Sequence, residues 1–224
     1  MTSRSPDRRR GRRATGPSRT AAGEELVRTA RSLFSRGLTH GSTGNLSVRT
    51  PEGILVTPTG SSLGTVTVDQ LSLADEYGRH VDGPPPSKEA FLHAAVLRAR
   101  PDAQAVVHTH STHAAAVSCL TGLDPEDALP PLTAYFAMRI GQLPVLPYHA
   151  PGDRGLEEVV EETAGRRHAM LLSNHGPVVA GAALATAMDA LEELEETARL
   201  FLLLRGLPTR PLTGAERAAL TASA

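Results

Sequence analysis

Two histidines that follow an apolar run are the residues of this sequence best suited to chemistry. Val106 and Val107 precede His108, and His110 follows two residues later. A β-strand directs side chains i and i+2 to the same face, about 6.6 Å apart along the backbone, so both imidazoles can bind one ion. The spacing therefore predicts half of a metal site.

A third histidine completes the pattern. His175 follows a second apolar run over residues 169–172 and is flanked by Asn174 and Gly176, which are typical of a turn. Three neutral histidines with an open fourth position are typical of catalytic zinc, whereas structural zinc sites are usually closed by cysteines. Because Cys119 is the only cysteine, we expect a catalytic Zn²⁺ site, with another divalent metal as the alternative.

Three segments have the composition of a phosphate-binding site. They are residues 41–45, residues 57–62 and the predicted start of a helix, where Ser87 is a candidate N-cap and Lys88 follows. Glycine lets backbone N–H groups approach an anion, and a helix N-terminus attracts one. Lys88 is the only lysine in a chain that otherwise uses arginine, which favours a role as a compact charge over that of an ordinary surface lysine.

Glu89 lies in the first turn of the same predicted helix, which we expect to span residues 88–98. Glu89 and His93 are four residues apart, so a local salt bridge is one interpretation of the pair. We favour the other interpretation, in which Glu89 is a general base beside the phosphate-binding segments and His93 packs within the protein.

Composition indicates a soluble, globular protein with one domain. The chain has 224 residues, of which 40% are hydrophobic and 21% charged, and no apolar run reaches the roughly 20 residues of a membrane span. A single cysteine excludes an intramolecular disulfide and suits a reducing cytoplasm. Without a membrane-spanning run we expect no membrane association. The Arg-rich residues 1–20 could attract nucleic acid, but aromatic residues that could stack on bases make up only 3%, so we do not favour a nucleic-acid partner.

The two ends of the chain differ in composition from the middle. Residues 1–20 carry seven arginines and almost nothing apolar, which predicts a disordered tail. No apolar stretch follows these arginines, so we expect no export signal. We expect one catalytic domain over residues 21–206 and a C-terminal tail over 207–224.

Between the two tails, predicted helices and strands alternate irregularly. Apolar periodicity predicts helices over residues 24–36, 112–120, 156–164 and 184–205, with strands over 105–109, 143–148 and 169–172 among others. The strands outnumber those of a simple βαβ alternation, which favours an α/β sandwich with a mixed or antiparallel sheet. In the last helix, we expect four acidic residues to line the solvent-exposed face. They are Glu192, Glu193, Glu195 and Glu196.

Five motifs in order resemble those of the class II aldolase/adducin family, over about residues 23–206. They are Gly44-Asn45-Leu46-Ser47-Val48-Arg49, Thr57-Pro58-Thr59-Gly60, Ser87-Lys88-Glu89, His108-Thr109-His110-Ser111 and Asn174-His175-Gly176. The resemblance implies a three-layer α/β/α sandwich around a mostly antiparallel sheet, a divalent metal that is usually zinc, and a homotetramer with active sites between subunits.

The resemblance also implies roles for individual residues. His108, His110 and His175 match the metal ligands, and Glu89 matches the catalytic acid/base, which can also coordinate the metal. A further set matches positions that bind the substrate phosphate: Gly44, Asn45, Thr59, Gly60 and Ser87. Lys88 stands where the sugar-phosphate aldolases of the family tend to carry a second serine.

The finer pattern is similar to the 3-oxo-tetronate 4-phosphate decarboxylases of this family. It lies in the segments Thr57–Gly64, Pro86–His93, Pro131–Tyr135 and Leu191–Ala198. This similarity implies a decarboxylase of four-carbon acid sugar phosphates, with Tyr135 near the position at which family aldolases contribute a tyrosine across the subunit interface. The alternatives are a zinc aldolase acting on a ketose 1-phosphate such as fuculose phosphate, a ketopentose phosphate 4-epimerase, and a non-catalytic adducin-like scaffold.

Overall fold

One eight-stranded sheet forms the centre of the molecule. The computed structural model describes residues 18–221. Its strands are β1 (Asn45–Thr50), β2 (Gly53–Val56), β3 (Ser72–Ala74), β4 (His80–Asp82), β5 (Ala105–His108), β6 (Val145–Leu146), β7 (Ala169–Leu172) and β8 (Gly176–Gly181). They lie in the order β4-β3-β2-β1-β5-β8-β7-β6. Among the described residues every pairing is antiparallel except that of β6 with β7.

Helices cover both faces of this sheet. They are α1 (Arg19–Ser35), α2 (Ala90–Ala99), α3 (Thr112–Ser118), α4 (Ala134–Arg139), α5 (Glu157–Arg166), α6 (Leu184–Leu203) and α7 (Gly214–Thr221). One buried cluster joins α1, α3, α4 and α6 to one face, and a second joins α2 and α5 to the other. The predicted three-layer α/β/α sandwich with a mostly antiparallel sheet is therefore confirmed.

Strand alternation separates the two cores. In β5, Ala105 and Val107 belong to the cluster under α6, whereas Val106 belongs to the cluster under α2. His108 has the parity of Val106, so its ring extends to the side of the sheet that α2 covers. The strand that carries the first predicted metal ligand is thus held between two apolar layers.

Several element boundaries differ from the sequence-based expectation. The helix expected over residues 88–98 is α2, and Glu89 is its N-cap residue in place of Ser87. The Ser87 Oγ accepts a hydrogen bond from the Glu89 backbone N–H at 3.2 Å, and the helix begins at Ala90, two residues later than expected. β6 spans only two residues, because prolines flank it on both sides.

Strand β8 was missed by sequence reasoning. It begins with Gly176 and Pro177 and ends at Gly181, residues that usually indicate a turn. In the structure β8 lies between β5 and β7. Pairing on both sides outweighs the weak local propensity of this segment.

The termini of the expected catalytic domain also differ in detail. Residues 1–17 of the expected N-terminal tail and residues 222–224 lie outside the described residues. Arg19 and Thr20, which we expected in the tail, form the first turn of α1, and the Ser18 side chain caps it. In the expected C-terminal tail over 207–224, α7 is a helix that contacts α4.

The acidic row of α6 does not simply face solvent. Glu192 pairs with Arg36, and Glu193 accepts a hydrogen bond at 3.0 Å from the Oγ1 of Thr133, the N-cap of α4. Glu195 is largely buried, with a side chain only 12% exposed. Only Glu196, which pairs with Arg199, matches the expected exposed face. Within residues 18–221, no helix combines the length and the hydropathy needed to cross a membrane.

Glu195 holds the start of α3, directly after the predicted metal-binding segment. Its carboxylate accepts hydrogen bonds from the backbone N–H groups of His113 and Ala114, both at 2.9 Å, and from His113 Nδ1 at 2.8 Å. Burial by itself raises the pKa of the Glu195 carboxyl, but these hydrogen bonds, led by the two backbone donors, outweigh it and lower the pKa below its ordinary value of 4.5.

We therefore expect Glu195→Ala to lower the free energy of unfolding by about 1–3 kcal/mol at pH 7, because buried N–H groups lose a charged acceptor. The exposed Glu196→Ala is the matched control and should change stability by less than about 0.5 kcal/mol. Since the folded-state pKa is depressed, the stabilisation is present above pH 4.5 and is lost as the pH falls further. Chemical denaturation at pH 7 and again below pH 4.5 measures the effect. Equal losses of stability for the two variants at pH 7 would contradict it.

Candidate active site

His108 is the most deeply buried member of the predicted metal site. It is the last residue of β5 and has no exposed surface. Its Nδ1–H donates to the carbonyl oxygen of Pro177 at 2.9 Å, which leaves Nε2 without a proton. This Nε2 atom is buried and has no hydrogen-bond partner among the described residues. A buried, unpartnered lone pair of this kind fits a metal ion, since histidine ligands usually donate their other N–H to a carbonyl.

The rings of His110 and His175 converge on this atom. Ring centroids lie 5.1 Å apart for His108 and His110, 4.8 Å for His108 and His175, and 4.5 Å for His110 and His175. One nitrogen from each ring falls within 4.8 Å of the other two. The structure thus brings together the three histidines that the sequence analysis selected.

Antiparallel pairing explains this convergence. The end of β5 lies at the same edge of the sheet as the starts of its two neighbours, β1 and β8. His108 ends β5, and His175 occupies the turn that leads into β8, with Asn174 in the left-handed region at φ +55°. His108 and His175 therefore meet, although they are 67 positions apart in the sequence.

Two glycines allow the backbone segments to approach at this edge. A Cβ on Gly176 would lie 2.2 Å from the carbonyl oxygen of Thr109, and a Cβ on Gly44 would lie 2.8 Å from the carbonyl oxygen of His108. Both are contacts with backbone, which cannot move aside easily. Gly44 also has φ +76°, a backbone conformation that favours glycine. Glycine is therefore required here for steric reasons, in addition to the phosphate-binding role that the resemblance implies.

Burial keeps the imidazoles of His110 and His175 neutral. Burial, together with the neighbouring His108, lowers the pKa of His110 to about 3 and that of His175 to about 4. Near neutral pH both rings are therefore unprotonated. The neutral ring is the form that binds metal.

Glu89 lies beside this triad. Its Oε2 is 3.5 Å from His108 Nε2, and its Oε1 is 3.5 Å from His175 Nε2. Burial raises the pKa of the Glu89 carboxyl, but His108, a 2.8 Å hydrogen bond from Asn45 Nδ2 and His175 outweigh it and lower the pKa. An ionised carboxylate at this position can either ligate a metal or exchange a proton.

A small cavity of about 170 Å³ opens in front of these groups. Every residue predicted to bind phosphate lines it, together with Glu89, His110 and His175. These phosphate-site residues are Gly44, Asn45, Thr59, Gly60, Ser87 and Lys88. Larger clefts, such as one of about 550 Å³ beside Arg49 and Glu76, have no converging histidines.

Two loops form the wall of the cavity by pairing with each other. Pro58 and Pro86 form an isolated antiparallel bridge, the Thr59 N–H donates to Pro85 O at 3.1 Å, and the Ser87 N–H donates to Thr57 O at 3.2 Å. The hydroxyls predicted to bind phosphate therefore come from two loops that hold one another in place.

Lys88 supplies a positive charge in this wall of the cavity. It is exposed, and no carboxylate of the described residues lies within ion-pair distance of its ammonium group. The loop that carries Pro151 and Gly152 lies beside it, since Pro151 lines the cavity and a Cβ on Gly152 would be 3.4 Å from the Lys88 Cβ. The ammonium is therefore available for an anion.

Tyr135 does not join these residues within one chain. It lies on α4 with 59% of its surface exposed, and the guanidinium of Arg139 lies 5.5 Å from its ring centroid. The cavity beside Glu89 does not include it. Its predicted contribution to the site of a neighbouring subunit stays a prediction.

Sequence reasoning missed residues that hold the site residues in position through hydrogen bonds. Ser118 at the end of α3 accepts hydrogen bonds from the N–H groups of Asn174 and His175 at 3.0 and 3.1 Å. No local signal links these positions. Ser47 was also missed, although it shares a strand face with Asn45 two residues away, and period-two spacing was a usable signal.

The site matches a known family in both sequence and fold. Residues 24–202 match the Class II Aldolase and Adducin N-terminal domain. The chain belongs to the class II aldolase and adducin family. The sequence resemblance is thereby confirmed.

Three members of this family illustrate what the chain is similar to. The 3-oxo-tetronate 4-phosphate decarboxylase of Haemophilus influenzae is 47% identical over 194 residues, which cover 86% of this chain and 92% of the relative. The structure of YgbL from Klebsiella pneumoniae has 45% identity and a TM-score of 0.88, covering 92% of this chain and all of that one. An L-fuculose phosphate aldolase from Escherichia coli is 35% identical over 82% of this chain and 84% of its own length.

The decarboxylase and the aldolase among these relatives are carbon–carbon lyases by name, so membership of the class II aldolase family supports enzymatic activity. Class II aldolases are generally metal-dependent, and the histidine triad is consistent with that requirement.

We expect His110→Ala to abolish stoichiometric metal binding while the protein stays folded, because two histidines alone bind a divalent ion much more weakly. His80→Ala is the matched control and should retain metal, because His80 is exposed and is not part of the cavity lining. Elemental analysis of both purified variants, with circular dichroism as the test of folding, measures this. A full equivalent of metal in His110→Ala would reject the ligand assignment.

We expect Gly176→Ala to weaken metal binding and lower stability, because the new Cβ would meet the Thr109 carbonyl oxygen at 2.2 Å. Gly165→Ala is the matched control, because Gly165 lies in α5 and a Cβ there has no neighbour within 4 Å. In a helix that change should be neutral or stabilising by up to about 1 kcal/mol. Titration with metal and thermal unfolding compare the two, and similar behaviour would refute the steric argument.

Proposed function

We propose that this protein decarboxylates 3-oxo-tetronate 4-phosphate to dihydroxyacetone phosphate and CO₂. The observation that carries the proposal is a buried carboxylate, Glu89, whose two oxygens each lie 3.5 Å from an imidazole nitrogen at the base of a hydroxyl-lined cavity. The 45–47% identity to 3-oxo-tetronate 4-phosphate decarboxylases supports this substrate over other sugar phosphates.

The substrate carries two anions on four carbons, and the cavity suits both. Thr59 and Ser87 supply hydroxyls and Lys88 supplies a positive charge in its wall. We propose that the phosphate binds in this wall, with backbone N–H groups of the glycine-containing loops as further donors. The volume of about 170 Å³ suits a small molecule.

The chemistry follows from the position of the ketone. The carboxylate is β to the C3 ketone, so breaking the C1–C2 bond releases CO₂ and leaves the electron pair across C2 and C3 as an enediolate. His108, His110 and His175 would hold a divalent metal, which would supply Lewis-acid stabilisation of this developing charge. We propose Zn²⁺ for this ion, on the basis of the all-histidine donor set.

Glu89 then provides the proton that C2 must gain. In the free protein its pKa is lowered, so the carboxylate must take up a proton before it delivers one. Binding of a substrate with two anionic groups beside it favours this uptake, because a neighbouring negative charge raises the pKa of a carboxyl group. Protonation at C2 completes dihydroxyacetone phosphate, and Glu89 is returned to its ionised form.

An aldolase acting on a ketose 1-phosphate is the alternative that a specific observation favours. The same enediolate, captured by an aldehyde in place of a proton, completes aldol addition, and an L-fuculose phosphate aldolase is 35% identical to this chain. The higher identity to the decarboxylases makes it second choice. The three histidines and Glu89 together disfavour a scaffold without chemistry.

We also propose a homotetramer with active sites between subunits, in which Tyr135 contributes to a neighbouring site. Its 59% exposure leaves the ring available for such a contact. We propose that the catalytic domain extends from Ser18 through α6, with an Arg-rich segment before it. A cytoplasmic location is supported by the single cysteine of the sequence.

Glu89→Gln tests the proposed reaction directly. Wild-type enzyme incubated with 3-oxo-tetronate 4-phosphate should release CO₂, and Glu89→Gln should reduce kcat by about 10²–10⁴, because the amide cannot exchange a proton. The control is Glu162→Gln on α5, whose side chain is 71% exposed, and it should retain the wild-type rate. Wild-type cleavage of a ketose 1-phosphate without any release of CO₂ from the keto acid would establish the aldolase instead.

Lys88→Ser separates two roles of the ammonium group. If Lys88 binds the phosphate, KM should rise with little change in kcat, since uniform binding is lost. If Lys88 holds the carboxylate, kcat for CO₂ release should fall, while proton exchange at the hydroxymethyl carbon of dihydroxyacetone phosphate should survive. Lys88→Arg keeps the charge and is the control. Unchanged kcat and KM in Lys88→Ser would remove Lys88 from the site.

A further inference from the structure

A chain of three buried hydrogen bonds lies behind Glu89. Ser47 Oγ is 2.7 Å from His93 Nδ1, His93 Nε2 is 2.5 Å from Asn45 Oδ1, and Asn45 Nδ2 is 2.8 Å from Glu89 Oε2. Ser47 and His93 have no exposed surface, and Asn45 is 6% exposed. The chain therefore connects the carboxylate to the interior, on the side away from solvent.

Two elements each supply two residues of this hydrogen-bond chain. Asn45 and Ser47 are two residues apart on β1 and share a strand face, whereas Glu89 and His93 are four residues apart and share the face at the start of α2. The pairs face one another across the interface between the sheet and the helix. This arrangement fixes the position of Glu89 relative to β1, and Asn45 on β1 is paired with His108 in the sheet.

The hydrogen bonds can run in only one direction. Asn45 donates from Nδ2 to the Glu89 carboxylate, so its Oδ1 must face His93 and accept. His93 Nε2 must then carry a proton, which leaves Nδ1 to accept from the Ser47 hydroxyl. Each member thus determines the orientation of the next.

We propose that Ser47 and His93 are positioning residues that act through Asn45 to keep Glu89 Oε2 a hydrogen-bond acceptor and leave Oε1 to carry the catalytic proton. This rests on the proposed function, in which Glu89 exchanges a proton with the substrate. Oε1 lies on the His175 side, 3.5 Å from Nε2 of that ring. The chain thereby selects which oxygen of the carboxylate reacts.

Simple packing does not account for the chain. A leucine at position 93 would fill the space without burying any polar group, whereas an imidazole, an amide and a hydroxyl must each be desolvated. All three are satisfied here, but only by one another and Glu89. A role in fixing Glu89 explains why a polar network occupies an otherwise apolar interface.

Kinetic variants test the positioning role. His93→Leu removes the donor to Asn45, and we expect kcat for CO₂ release to fall by about 10–100-fold, the range seen when outer-shell partners are lost, with KM changed much less. His93→Gln can place an amide donor at the same position and should recover most of kcat. The control is His168→Leu, which removes a histidine that lines a different cavity and should leave kcat unchanged.

Nitrogen NMR of the metal-loaded wild-type protein tests the same chain without reference to activity. We expect the His93 ring to be neutral with its proton on Nε2, with the resonance assigned by its loss in His93→Gln. Ser47→Ala should shift this ring towards the Nδ1–H tautomer and lower kcat, because Nδ1 loses its donor.

These two measurements separate failure of the inference from failure of the proposed function. A wild-type His93 protonated on Nδ1 would overturn the directional chain. A folded His93→Leu variant with wild-type kcat would overturn the positioning role. If the wild-type enzyme releases no CO₂, the decarboxylase function fails, and the NMR result still decides whether the chain holds Glu89 as described.

Discussion

The arrangement of this site depends on three backbone segments that touch at one edge of the sheet. Antiparallel pairing brings the end of β5 beside the starts of β1 and β8, and glycines at 44 and 176 admit the close approach to the carbonyl groups of His108 and Thr109. Because these contacts involve main chain on both sides, a side chain cannot be accommodated by rotamer changes. Ligand geometry is therefore a consequence of strand pairing and of two residues that have no Cβ.

Burial of the histidine nitrogens at this edge of the sheet lowers the stability of the folded protein. His108 Nε2 is desolvated without a partner among the described residues, and a buried polar atom in that state costs about 1–3 kcal/mol. The lowered pKa values of His110 and His175 record the same desolvation. A cation bound there would recover this free energy and would stabilise the folded protein by mass action. Any metal binding at this site is therefore linked to folding.

The sheet also separates rigid and adaptable parts of the site. His108 ends β5, His110 follows it closely, His175 lies in the turn before β8, and Glu89 starts α2. The hydroxyls of Thr59 and Ser87 belong instead to two loops that pair through Pro58 and Pro86. Lys88, at the end of one loop, is exposed and free of acidic partners among the described residues. Such a division allows one catalytic centre to serve different sugar phosphates through changes in its loops.

The sequence by itself determined the features that depend on local spacing. Strand periodicity identified His108 and His110, and the order of five motifs identified the family. Tertiary structure decided the rest. Glu195 has the pattern of an exposed helical residue, yet it is buried against the start of α3, and Asn45 has the composition of a phosphate loop, yet its amide binds Glu89 and His93. β8 exists because β5 and β7 pair with it. These outcomes depend on contacts between residues far apart in the chain, and no local pattern encodes them.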